Sequence, residues 1–157
     1  MTRYWMRPAT LEDIDPLVMR VRPEDVSELW AAAMATPERA LRDGILLSPE
    51  SWVGMADDLP LCIFGVAPVS LLGRVGAPWM VGTSDIDRHA FGFLKACKGA
   101  VAEMIAPYPY LFNFVDARND KAVRWLKWLG FTMPPAEPYG PFGLPFHRFE
   151  MKRDVHV

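Results

Sequence analysis

Apolar residues along this chain follow two spacings, one helical and one alternating, and each switch between them marks an element. Residues 4–7 read as a short strand stopped by Pro8, after which Thr10 caps a helix with Asp13 in its first turn. From Pro23 onward, Val26, Leu29, Trp30, Ala33 and Met34 fall at i, i+3, i+4, i+7 and i+8. That is a helix opening on proline, where a missing amide hydrogen costs nothing. Thr36, Pro37, Glu38 and Arg39 open another helix, which runs to about Leu47. The period then changes. Residues 52–55 and 59–69 are apolar runs separated by Asp57 and Asp58, which suits an antiparallel hairpin, and 77–82 form a further strand after a turn over 73–76.

The second half begins with Thr83, Ser84 and Asp85, read as caps of a long helix reaching Ile105. Its core-facing stripe is Phe91, Leu94, Cys97, Val101, Met104 and Ile105, and Pro107 ends it. Residues 110–115, bounded by Pro109 and Asp116, read as a strand. A helix of about three turns follows, capped by Asn119 and Asp120 and closed by Gly130 in the left-handed conformation. Ala122, Leu126 and Leu129 form its buried face; Lys121, Arg124 and Lys127 form a wet one. Five prolines and two glycines between Met133 and Phe146 predict a long, stiff loop before a last strand over 146–151.

At 157 residues the chain fits a single domain, 1–157, large enough for a core that needs no metal or disulfide. Seventeen basic and 19 acidic residues give a net charge of -2, so nucleic acid is not expected as a partner unless a local patch binds it. Cys62 and Cys97 sit in apolar patterns and read as small hydrophobes. His89, His147 and His156 are too dispersed for a metal site. No run is long enough for a membrane span and no signal segment is evident, which predicts a cytoplasmic protein unless an assembly carries it.

The 110–115 strand, the helix with Asn119 and Ala122, and Gly130-Phe131 resemble the second half of the GNAT acyltransferase fold. Its pattern runs Asn-x-x-Ala-x-x-aliphatic-Tyr-x-x-x-Gly-Phe. The resemblance implies an α/β domain with a mixed, mostly antiparallel sheet flanked by helices. It also implies an acyl-coenzyme A diphosphate held on amides at the start of the central helix, by Gly82, Thr83, Arg88 and Asn119 in this chain. Two departures stand out. Leu126 occupies the position of the family's tyrosine acid, and no Gly-x-Gly lies between Thr83 and Gly92, where Asp85 and Asp87 place carboxylates instead. No cofactor is therefore expected on the main reading, and acetyl-CoA or another acyl-CoA on the alternative.

The whole chain also resembles the internal virion protein A family of short-tailed bacteriophages. The residues concerned include Arg7-Pro8-Ala9-Thr10, Gly76-Ala77-Pro78-Trp79, Val115-Asp116-Ala117-Arg118-Asn119 and Gly143-Leu144-Pro145-Phe146. That resemblance implies a phage morphogenesis protein, in the virion or host cytoplasm, acting through contacts with virion proteins or itself and without acyltransferase activity. Its expected anchors are Tyr139, Phe142 and Leu144 in the proline-rich loop. The alternative is an N-acyltransferase moving an acyl group from acyl-CoA to an amine. Trp125 and Trp128 beside Lys121, Arg124 and Lys127 read either as a phosphate grip or as a solvated helix face.

Overall fold

Strands β1 (Tyr4–Pro8), β2 (Ser51–Ala56), β3 (Leu59–Ser70), β4 (Val75–Gly82), β5 (Tyr110–Asp116), β6 (Glu137–Tyr139) and β7 (Leu144–Lys152) form one sheet. Their order is β1-β2-β3-β4-β5-β7-β6. The computed structural model describes residues 1–70, 72 and 74–153, so Gly73 of the expected turn and His156 lie outside the described residues. Helices α1 (Ile14–Val18), α2 (Pro23–Ala33) and α3 (Pro37–Leu47) lie between β1 and β2; α4 (Ile86–Ile105) joins β4 to β5, and α5 (Asp120–Trp128) follows β5. All pairings are antiparallel except that of β4 with β5, where the α4 crossover returns the chain in the same direction.

Both faces of the sheet are covered. Ile14, Leu17 and Leu41 from α1 and α3 pack on Val53, Met55, Ile63 and Val81. On the opposite face, Ala90, Phe93 and Cys97 of α4 pack on Leu61, Cys62 and Phe64, and burial pushes both thiols up in pKa, leaving them inert. Ala122, Leu126 and Leu129 of α5 cover Leu111, Val115 and Phe149, as their spacing predicts. Gly130, at φ 104, lets Phe131 N donate back to Leu126 O at 3.0 Å and so closes the helix.

Four expectations fail for identifiable reasons. Of the apolar stripe expected of α2, Leu29 packs on the core but Val26, Trp30 and Met34 are 40%, 50% and 50% exposed, while Asp25 and Ala31 are buried. This helix lies over strand ends whose amides need acceptors, so its carboxylates turn inward. Phe91 is likewise 69% exposed, because the sheet meets α4 along Ile86, Ala90, Phe93 and Cys97. The proline-rich stretch is a hairpin: Pro138 sits in β6, an edge strand that tolerates its missing N–H, and β7 starts at Leu144. Finally, Thr83 and Asn119 do not cap; each side chain is drawn into a buried contact elsewhere.

Candidate active site at the fork of two parallel strands

The ladder between β4 and β5 lasts two residue pairs, Val75 with Tyr110 and Gly76 with Leu111, and then the strands diverge. Alternate residues of β4 present their main chain to the gap. Asn113 Nδ2 crosses it to Pro78 O at 2.9 Å, and at the far end Gly82 N donates to Asp25 Oδ2 at 2.7 Å while Gly82 O accepts from Arg22 N at 2.9 Å. Met80 lies between these residues in the alternation, so its amide N–H points into the same gap. On the β5 side, Asp116 N donates to Glu28 Oε1 at 2.9 Å. One turn of α2 thus places a carboxylate on each prong, because positions 25 and 28 share a helix face.

Asn119 ties the two together. Its Nδ2 donates to Asp25 Oδ1 at 3.5 Å and to Glu28 Oε1 at 3.4 Å, while its Oδ1 accepts from Arg22 at 3.5 Å. The Arg22 guanidinium is 1% exposed, within 3.4 Å of both Asp25 and Asp87, and stacks 5.1 Å over the Trp125 ring. Burial is the main cause that lifts Glu28 to about 7, and the Asp25 charge adds to it against the Asp116 amide bond. Burial also raises Asp25, opposed by the Gly82 amide and Arg22. At Asp116 burial pushes the same way, but Arg118 at 2.7 Å wins and holds that carboxyl low. Burial thus raises two carboxyl groups at the fork, Asp25 and Glu28, the latter to about 7, while Asp116 stays low.

The turn at the start of α4 is built differently. Thr83 N and Oγ1 both donate to Leu61 O, at 2.8 and 2.9 Å, and Ser84 N donates to Arg20 O at 3.0 Å. Ile86 N bonds to Thr83 O and Arg88 N to Asp85 O. The segment before α2 lies along this turn, with Val21 bridged to Thr83. Asp85 pairs with Arg20 and Arg88, both at 2.5 Å, and Asp87 with Lys121 at 3.1 Å. The amides of Thr83, Ser84, Ile86 and Arg88 are thus already bonded, and Asp85 and Asp87 add two carboxylates to the same turn, an arrangement that disfavours a diphosphate. Of the four residues expected to hold coenzyme A, Gly82, Thr83 and Asn119 are buried and bonded internally; Arg88 alone is open to solvent.

The expected loop anchors are also dispersed in role. Tyr139 stacks on Phe114 with ring centroids 4.0 Å apart, Leu144 is half-buried, and Phe142 is 53% exposed. Glu28, Asp25 and Arg22 were not singled out from sequence. The signal was weak, because nothing local marks which polar residues of α2 a distant strand end draws inward.

No family model and no curated protein matches the sequence, whereas solved structures match over nearly its whole length. YncA of Salmonella typhimurium, solved with its cofactor acetyl-CoA, is 14% identical at a TM-score of 0.72, covering 99% of this chain and 96% of that one. The ribosomal-protein-S18-alanine N-acetyltransferase of Escherichia coli is 11% identical at 0.68, covering 99% and 97%. A spermidine N-acetyltransferase variant from Vibrio cholerae is 11% identical at 0.66, covering 96% and 94%. The chain has the GNAT acetyltransferase fold. The phage virion reading is overturned by these neighbours, whose own names are those of acetyltransferases. Val115-Asp116-Ala117-Arg118-Asn119 and Gly76-Ala77-Pro78-Trp79, read as virion signatures, build the two prongs of the fork and so report on the fold.

Proposed function

We propose that this protein transfers an acyl group from a thioester to an amine, with Glu28 as general base. The observation that carries this reading is the Glu28 carboxyl, bonded to Asp116 N at 2.9 Å and to Asn119 at 3.4 Å at the open end of the fork, where burial lifts its pKa to about 7. An acceptor amine reaches the fork largely as its ammonium. The ammonium first gives one proton to water; the freed lone pair then attacks the thioester carbonyl carbon as Glu28 takes a second proton from the nitrogen, so a C–N bond forms and the carbonyl oxygen becomes negative. Met80 N–H is placed to stabilise that oxygen. The C–S bond then breaks with its electron pair on sulfur. A thiolate, with a pKa near that of a free thiol at about 8.5, takes its proton from water, because Leu126 has none to give.

Acetyltransferases of the same fold support this reading, and so does the fork itself. The expectation that the chain is not an enzyme rested on Leu126 and on the missing Gly-x-Gly with Asp85 and Asp87 in its place. Neither bears on the base. The test is a panel of acyl thioesters against primary amines, followed by release of free thiol. Amine-dependent release should rise with pH through about 7, and Glu28→Gln should lower kcat/KM by roughly 10²- to 10⁴-fold. No amine-dependent release from any thioester overturns it.

A further inference from the structure

The closed turn raises the question of what carries the thioester, and the outer surface of α4 and α5 bears on it. Arg88, Phe91, Lys95 and Lys98 recur at intervals of three and four along α4, and all are exposed. Lys121, Arg124 and Trp128 repeat the same spacing along α5, with Lys127 beside them; all four are exposed. The stripes meet where the Phe91 and Trp128 rings lie 6.1 Å apart and Lys98 Nζ sits 5.4 Å over the indole. Phe91 and Trp128 are 69% and 45% exposed. The acids of these two helices stand at their ends: Asp87, paired with Lys121, then Glu103 and Asp120. A chain of net charge -2 thus carries six cations on two adjoining helix faces with two exposed rings between them, two of the six, Arg88 and Lys121, being paired with Asp85 and Asp87.

We infer that this surface docks an acidic carrier protein, which delivers the acyl group as a thioester on its phosphopantetheine arm. The inference rests on the transferase reading and names the donor for that same fork. An arm joined to a protein through a single phosphate diester makes no demand on a diphosphate cradle, and binding strength shifts to the protein surface. The patch adjoins the fork directly, since Lys121 pairs with Asp87, which contacts Arg22 of the Glu28 network. Cations around an aromatic anchor suit an acidic partner, the charges speeding encounter and the rings holding the complex. Single-stranded nucleic acid fits less well, because the rings pack on each other and Lys98 covers the indole, leaving no series of free faces for bases.

The experiment compares one acyl group on three donors: an acidic acyl carrier protein, coenzyme A and pantetheine. Carrier binding is measured separately by calorimetry. The carrier thioester should give the highest kcat/KM, and that value alone should fall as salt rises from about 50 to 500 mM. Trp128→Ser should weaken carrier binding about 30-fold, and Lys95→Glu with Lys127→Glu at least tenfold, with acyl-pantetheine turnover unchanged in each. Acyl-CoA used as well as the carrier thioester, with no response to these substitutions, overturns the inference and leaves the transferase reading intact. So does tighter binding of a single-stranded oligonucleotide than of the carrier. Turnover from none of the three donors sinks the transferase reading, whereas calorimetry still decides whether the carrier docks.

Discussion

The fork and the turn at the start of α4 adjoin at the end of one strand and are made of the same material, main-chain amides at the edge of a sheet. They end in different chemistry. At the turn, the amides of Thr83, Ser84, Ile86 and Arg88 are met by main-chain carbonyls, and the neighbouring acids are neutralised by arginines. At the fork, the amides of Gly82 and Asp116 are met by carboxylates from α2. A carbonyl acceptor leaves nothing to titrate. A buried carboxylate acceptor satisfies the amide equally well but carries a charge that the surroundings resist, so its proton affinity rises, at Glu28 to about 7. How an amide is satisfied decides whether a strand end can do proton chemistry.

The largest effect expected from breaking this contrast is on catalysis. Glu28→Gln retains an acceptor for Asp116 N and so keeps the fold, but it removes the base; the loss of roughly 10²- to 10⁴-fold in kcat/KM should be accompanied by loss of the rise in rate around pH 7. A full-rate variant with the same pH profile would place the base elsewhere.

Next in size is Arg22→Ala. It strips the counter-charge from Asp25 and Asp87 and the stacking partner from Trp125, and a destabilisation of about 3 to 5 kcal/mol is expected from denaturant unfolding. Arg22→Met, which keeps the volume, should recover part of it.

Glu28 also ties stability to pH. Its pKa in the fold lies above its ordinary value of 4.5, so the fold binds the proton more tightly than the unfolded chain does. Its contribution is complete below about pH 4.5 and is lost as pH rises through about 7. Glu28→Gln should therefore be more stable than the parent above pH 7, by up to about 3 kcal/mol, and should converge with it near pH 4. Chemical denaturation at three pH values checks the sign.

The smallest effects belong to the turn. Asp85 is held below the usual carboxylate range, first by its bond from Arg20 and then by Arg88, so it contributes above its ordinary pKa and the contribution is lost as pH falls through its lower folded value. Since the pair is partly exposed, Asp85→Asn should cost only about 0.2 to 1 kcal/mol at pH 7. Asp85→Asn combined with Asp87→Asn should still bind ADP no better than the parent by calorimetry, because the amides remain bonded to carbonyls. Micromolar binding would show that charge, and not the bonded amides, closes the turn.

Much of the fold was legible in the chain. Pro23, Pro37 and Gly130 sit where elements start or stop, and Ala122, Leu126 and Leu129 face the core as their spacing predicts. These are local matters, governed by φ limits, missing N–H groups and apolar periodicity. The orientation of α2 was not legible. Its apolar stripe is the better candidate for burial by transfer free energy, yet two strand ends without partners draw Asp25 and Glu28 inward instead. Phe91 and the Pro138 hairpin failed similarly, each decided by a neighbour distant in sequence.

The sequence by itself determined the order of elements as far as α5, the absence of a glycine cradle and the lack of an acid at Leu126. Only the tertiary structure decided that Arg22, Asp25, Glu28 and Asn119 share one buried network, though the last lies 91 residues beyond Glu28. It also decided that burial raises the Glu28 carboxyl and that the cations of α4 and α5 lie on adjoining faces. The physical reason is common to both. Periodicity reports which side of an element is apolar, whereas burial, pKa and patch formation depend on which unsatisfied groups and charges another part of the chain brings within a few ångströms.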